Sequence, residues 1–209
     1  MQYILKSLVG AAVVLAFAFT ATPAVALPEG IAVEAPTLRD GDVFYGQIDA
    51  PVTIVEYASL TCSHCAAFHG ETLSKLKAGP IAEGKMRLVY RDFPLDGLAL
   101  RASALSRCGG PERRLPILDL LFQSQGSWAR SQDPLSALAQ IGKLAGLKEE
   151  QSRACMEDSG MLDRIVAERQ EGEDRHGVRS TPSFVVDQTL YRGDVTVDDF
   201  TELLDQLAK

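Results

Sequence analysis

The chain has 209 residues, 46% of them hydrophobic, and a formal charge of −7 at neutral pH. This length fits one domain, or one domain carrying a large insertion, and this much apolar material excludes an intrinsically disordered chain. The acidic balance, with no basic run, argues against a nucleic-acid partner.

The first 26 residues read as a targeting segment. Lys6 supplies the basic start, Leu8 to Phe19 is apolar and uncharged, and Ala24-Val25-Ala26 is a small-x-small cleavage site. Cleavage is expected after Ala26, with export to the periplasm. An uncleaved anchor is the alternative, but the apolar run is short for a membrane span. Residues 27–40 contain Pro28 and Pro36 and show no period, so a loose arm is expected there.

Ala50-Pro51 introduces Val52-Thr53-Ile54-Val55-Glu56-Tyr57, a β-branched and aromatic run that reads as a buried strand. Thr61 to Ala78 follows as a helix, with Cys65, Phe68, Thr72, Leu73 and Leu76 on one face, ended by Gly79-Pro80. Met86 to Tyr90 is a second strand. Strand, helix, strand over so short a stretch is a βαβ unit with a parallel pair.

Residues 96–159 carry only helical signals. Asp96 caps a helix over Leu98, Ala102 and Leu105. Ile117, Leu118, Leu121 and Phe122 mark another. Asp133-Pro134 opens a third that stops near Gly146, and a short one is expected over Glu149 to Asp158. A helix over Met161 to Arg175 leads back to Thr181-Pro182. Ser183 to Val186 and Thr189 to Tyr191 then form a hairpin across Asp187-Gln188, and Thr196 begins a final helix. The organisation is an α/β domain (41–95 and 160–209) interrupted by an all-helical insertion (96–159).

Cys62-Ser63-His64-Cys65 falls where the first strand hands over to the helix. A cysteine there meets unpaired backbone N–H groups and the positive end of the helix dipole, which stabilise its thiolate. Cys65 lies one turn deeper, on the packed side. Cys62 is therefore expected to attack and Cys65 to resolve the mixed disulfide. A His64 ring N–H near the Cys62 sulfur would strengthen the effect. Lowering a thiol pKa by about two or three units would favour the reduced form by roughly 3–4 kcal/mol, a change of order 60–90 mV towards a stronger oxidant.

With His64, or with His69 at i+4 from Cys65, the cysteines could bind copper or zinc, but structural zinc takes four ligands and no second pair has fitting spacing. No metal and no cofactor is expected, and His69 reads as a solvated helix residue. A purely structural bond would gain little from so short a loop. Glu56, six residues before Cys62, points either into the core beneath the helix start, where it could exchange protons with Cys65, or to solvent at the strand end. Cys108 and Cys155 both lie in the insertion. A bond between them would close a loop of about 47 residues, worth roughly 4 kcal/mol, and reads as a structural disulfide, with a second redox relay as the alternative.

The chain resembles the DsbA-like branch of the thioredoxin superfamily over most of its length after residue 26. The resemblance rests on residues 50–57, Cys62-Ser63-His64-Cys65, Arg91-Asp92-Phe93-Pro94-Leu95, and Val178 to Phe184 around Thr181-Pro182. It implies a thioredoxin-like fold with a helical insertion, and a cis Pro182 facing the Cys62–Cys65 pair. It also implies a Thr181 backbone that binds extended substrate, and Glu56 as the buried acid. It implies a protein disulfide oxidoreductase, acting as a monomer on reduced or unfolded exported proteins and reoxidised by a DsbB-like membrane protein. Isomerase or reductase action is the alternative. Many members carry proline where this chain has Ser63, so their oxidising strength does not transfer.

Overall fold

In the computed structural model of the protein, residues 29–208 are described. The expected leader, 1–26, and its cleavage site lie outside them. A six-stranded mixed sheet has the order β1-β6-β5-β3-β4-β2. Its strands are β1 (Ile31–Ala32), β2 (Val43–Tyr45), β3 (Val52–Ala58), β4 (Met86–Asp92), β5 (Ser183–Val186) and β6 (Thr189–Arg192). β3 and β4 are parallel, as expected of a βαβ unit, and the other pairs are antiparallel.

β3 lies between β4 and β5 and is covered on both sides, so its residues alternate between two cores. Ile54 packs with Phe68, Leu73, Leu76, Leu88, Phe184 and Phe200 beneath the first helical segment and the last helix, α9 (Val197–Leu207). Val55 and Tyr57 face the other way, towards Val89, Phe93, Val178 and Val185. The long helix α8 (Ser159–His176) comes so close there that a Cβ on Gly172 would lie 2.6 Å from the Tyr57 ring. By this alternation Glu56 shares the Ile54 side, beneath the first helical segment.

That segment is not one regular helix. α1 (Ser63–Ala67) passes through a π turn (Phe68–Thr72) into α2 (Leu73–Ala78). Between β4 and β5 the chain is helical: α3 (Gly97–Arg107), α4 (Pro111–Gln123), α5 (Gln125–Trp128), α6 (Pro134–Leu144), α7 (Glu149–Glu157) and α8. Asp96 and Asp133 cap α3 and α6 by accepting from Ala99 N–H (2.7 Å) and Ser136 N–H (3.0 Å). Thr196 and Asp199 form a capping box on α9. The insertion's core, with Leu105, Ile117, Leu121, Trp128 and Leu138, includes Cys65 and Tyr90, so it is continuous with the helix start. Cys108 and Cys155 are joined in a disulfide that ties the end of α3 to α7.

The insertion is also held to the sheet by charge. Asp92, at the end of β4, is buried and accepts from Arg114 at 2.8 Å and from Arg107, which also pairs with Glu168 of α8. Burial alone would raise the Asp92 carboxyl pKa; the two guanidinium charges outweigh it and hold the value below the ordinary one. Removing both arginines would strand a buried charge, at a cost of about 3–5 kcal/mol.

Two regions differ from the sequence reading. The described part of the expected loose arm adds the edge strand β1 and is fastened by Val33 N–H to the Gln188 carbonyl (2.8 Å); two residues of pairing are too short to show as a period. β2 is likewise too short to announce itself. In the β5–β6 turn, which lacks glycine, Asp187 takes the left-handed conformation (φ 51°), one that aspartate tolerates better than most residues.

Candidate active site

Cys62 is the N-cap of α1, with extended backbone (φ −79°, ψ 120°), and is half-buried; Cys65 is fully buried. Both are free thiols. The Cys62 thiol pKa is lowered to about 5. The largest cause is the Cys65 thiol, which donates to the Cys62 sulfur. Partial burial opposes the shift; Thr181 and the backbone N–H groups of Cys65 and His64 support it. The Cys65 thiol moves strongly the other way. Burial drives it up, the donation to Cys62 adds to this, and the negative charge of Glu56 adds further. One turn of helix thus separates an accessible thiolate at neutral pH from a thiol that keeps its proton.

The Thr181-Pro182 peptide bond is cis, and the Thr181 carbonyl accepts from the Cys62 thiol at 3.3 Å. The start of β5 therefore faces the Cys62 sulfur across 119 residues of sequence. The Thr181 hydroxyl is buried, with no partner among the described residues, and is available to stabilise the thiolate.

His64 does not make the expected contact. Its ring turns outward, Nδ1 lying 3.1 Å from each carboxylate oxygen of Asp194, and both side chains are largely exposed. A residue in the first turn of a helix aims its backbone N–H at the cap, not its side chain. The contribution of His64 to Cys62 is accordingly its N–H.

His69, expected in solvent, is buried. Its Nε2 lies 3.0 and 3.2 Å from the two Glu56 oxygens, and its ring stacks on Phe122 with centroids 3.9 Å apart. Glu56 itself is completely buried, so of its two expected positions it takes the core one. A carboxylate there needs a partner, and His69 supplies it from the π turn. The sequence carried a signal for this: i+4 from Cys65 is the packed face. Asp194 and Gln125 gave none. Gln125, in α5, donates from Nε2 to the carbonyls of Leu60 and Cys62, both at 2.9 Å, and so fixes the loop entering α1.

Among the described residues no three His, Cys, Asp or Glu side chains converge to hold a metal ion. What the site offers is a half-buried sulfur held as a thiolate, a buried thiol one turn away, and the partly exposed Thr181 beside them.

A sequence model of a family described as Thioredoxin matches residues 38–206. Among solved structures, alpha-DsbA1 of Wolbachia pipientis is 31% identical, with 79% of this chain and 90% of that one covered, at a TM-score of 0.73. The chain belongs to the DsbA-like branch of the thioredoxin superfamily. A protein-disulfide isomerase from Novosphingobium aromaticivorans, 23% identical, shares the fold (TM-score 0.69; 86% of this chain and all of that one covered). A Rickettsia bellii protein provisionally named a protein-disulfide oxidoreductase is 31% identical over 150 residues, 71% of this chain. The match spans 58% of that protein's length. DsbA-like membership thus accounts for the helical insertion between β4 and β5 as well as for the sheet.

Proposed function

We propose that the protein is an exported thiol–disulfide oxidoreductase that introduces disulfide bonds into reduced or unfolded proteins through Cys62 and Cys65. The observation that carries this reading is the opposed ionisation of the two sulfurs. In the oxidised enzyme, a substrate thiolate attacks the Cys62 sulfur. The Cys62–Cys65 bond breaks, its electron pair goes to Cys65, and that sulfur takes up a proton. A second substrate thiolate then attacks the substrate sulfur of the mixed disulfide and expels Cys62 as a thiolate. A thiolate stable at neutral pH is a good leaving group, so the release of Cys62 is favoured, whereas Cys65 needs a proton as it leaves in the first step.

The remaining roles follow. The backbone of Thr181 beside Pro182 offers hydrogen bonds to an extended substrate strand. Glu56 is the buried acid that trades protons with Cys65. Cys108–Cys155 is a structural brace of the insertion at 96–159, with 41–95 and 160–209 as the thioredoxin-like part. Among the described residues no helix is long and apolar enough to cross a membrane. The working form is a monomer in the periplasm, reoxidised by a DsbB-like membrane protein.

Equilibrium titration of the Cys62–Cys65 pair against glutathione buffers tests the direction. The expected potential lies well above about −270 mV, the thioredoxin value. A value at the thioredoxin end would assign a reductase instead.

A further inference from the structure

Cys65 must gain a proton each time the disulfide is reduced and lose it each time the disulfide re-forms, yet it is fully buried. Glu56, whose charge acts on it, is also fully buried. A proton reaching either group needs a way through the protein.

The Glu56–His69 pair has one open end. Nε2 of His69 meets the carboxylate at 3.0 Å. Nδ1, at the other side of the ring, is buried and has no hydrogen-bond partner among the described residues. His69 lines a cleft of about 260 Å³ together with Gly70, Ser74, Lys77, Asp119 and Gln123. Phe122, reaching in from α4, clamps the ring by stacking on it. The other ionisable groups beside the ring are Tyr90, Lys77 and Asp119. Tyr90 packs against its edge, with its hydroxyl pKa driven well above the ordinary value by burial. Lys77 and Asp119 pair with each other at 3.1 Å in the cleft wall, where Asp119 also accepts from Tyr45 (2.8 Å). Among the described residues that line the cleft, His69 is the one that pairs with the Glu56 carboxyl.

We propose that His69 is a positioning residue that carries protons between the cleft and Glu56, and through Glu56 to Cys65. The inference rests on the exchange reading above. When substrate thiolate breaks the Cys62–Cys65 bond, the electron pair moves to Cys65. The Nε2 proton passes to the Glu56 carboxylate and a carboxyl proton to the Cys65 sulfur, directly or through one water. Nδ1 takes up one proton that enters from the cleft. One proton enters, one is delivered, and the ring changes tautomer. Reoxidation runs the sequence backwards: Cys65 to Glu56, Glu56 to Nε2, release from Nδ1. The ring returns to its first tautomer once per cycle.

Stopped-flow oxidation of a dithiol peptide by the oxidised protein tests this, comparing wild type with His69→Gln, which keeps a hydrogen bond to Glu56 but cannot pass a proton. A relay lowers the barrier in both directions. The variant is expected to be slower by about tenfold or more, with its glutathione equilibrium constant and Cys62 alkylation rate changed by less than about threefold. Wild-type rate in the variant, or rate and equilibrium falling together, would overturn the relay and leave a structural partner. ¹⁵N-histidine NMR of the unmodified protein needs no variant: the expected result is a His69 tautomer that differs between oxidised and reduced states, and one unchanged tautomer would overturn the proposal. If the wild type oxidised no thiol at all, the exchange reading itself would fall, a result distinct from either.

Discussion

Cys62 and Cys65 are the same side chain placed one helical turn apart, and the protein gives them opposite chemistry. Around Cys62 are backbone N–H groups, the cis Thr181-Pro182 segment and solvent. Around Cys65 are apolar side chains of the insertion and the negative Glu56. The same contrast separates two of the three histidines. His64, inside the C-x-x-C sequence, pairs with Asp194 in solvent; His69, outside it, is buried against Glu56. Membership in a motif therefore does not rank a residue's influence. Burial and the charge at the far end of its hydrogen bond do.

The largest effect comes from removing either sulfur. Cys62→Ser is expected to abolish thiol exchange, because the accessible thiolate is gone. Cys65→Ser leaves attack intact and is expected to accumulate mixed disulfides that non-reducing electrophoresis shows as higher bands. If Cys65→Ser turned over normally, the division of labour between the sulfurs would be wrong. Next is the disulfide in the insertion. Replacing Cys108 and Cys155 by serine removes a closed loop of 47 residues, and chemical denaturation should register a loss of about 2–4 kcal/mol. The Cys62 alkylation profile should stay in place, and a shifted one would make that bond part of the redox site. The smallest effect is at the exposed pair. Asp194→Asn is expected to change the Cys62 alkylation rate at pH 7 by less than about threefold, since an ion pair in solvent is screened. A larger change would mean that the His64 ring acts on the sulfur after all.

Much of this arrangement was legible in the sequence, for local reasons. β3 and β4 are apolar, β-branched runs bounded by turn residues, and Asp96, Asp133 and Thr196 announced their helices because capping is a short-range interaction. The position of Cys62 at a strand–helix junction already implied a stabilised thiolate. What stayed hidden depends on distant chain. Asp194 reaches His64 across 130 residues, and Gln125 reaches Leu60 across 65. β1 exists because β6 offers it an edge. The inward turn of His69 depends on the partners waiting there, Glu56 from β3 and Phe122 from α4.

The central claim is the ionisation of one sulfur, and the pH dependence of Cys62 alkylation in the fully reduced protein measures it directly. The account predicts a rate that rises with a midpoint at about 5 and is level above it, with Cys65 unmodified throughout. Because the folded value lies below the unfolded one, the thiolate also stabilises the reduced fold increasingly as pH rises above about 5, and this is lost as pH falls through that value. A midpoint near the ordinary thiol value of about 8.5, or equal alkylation of both cysteines, would contradict the account.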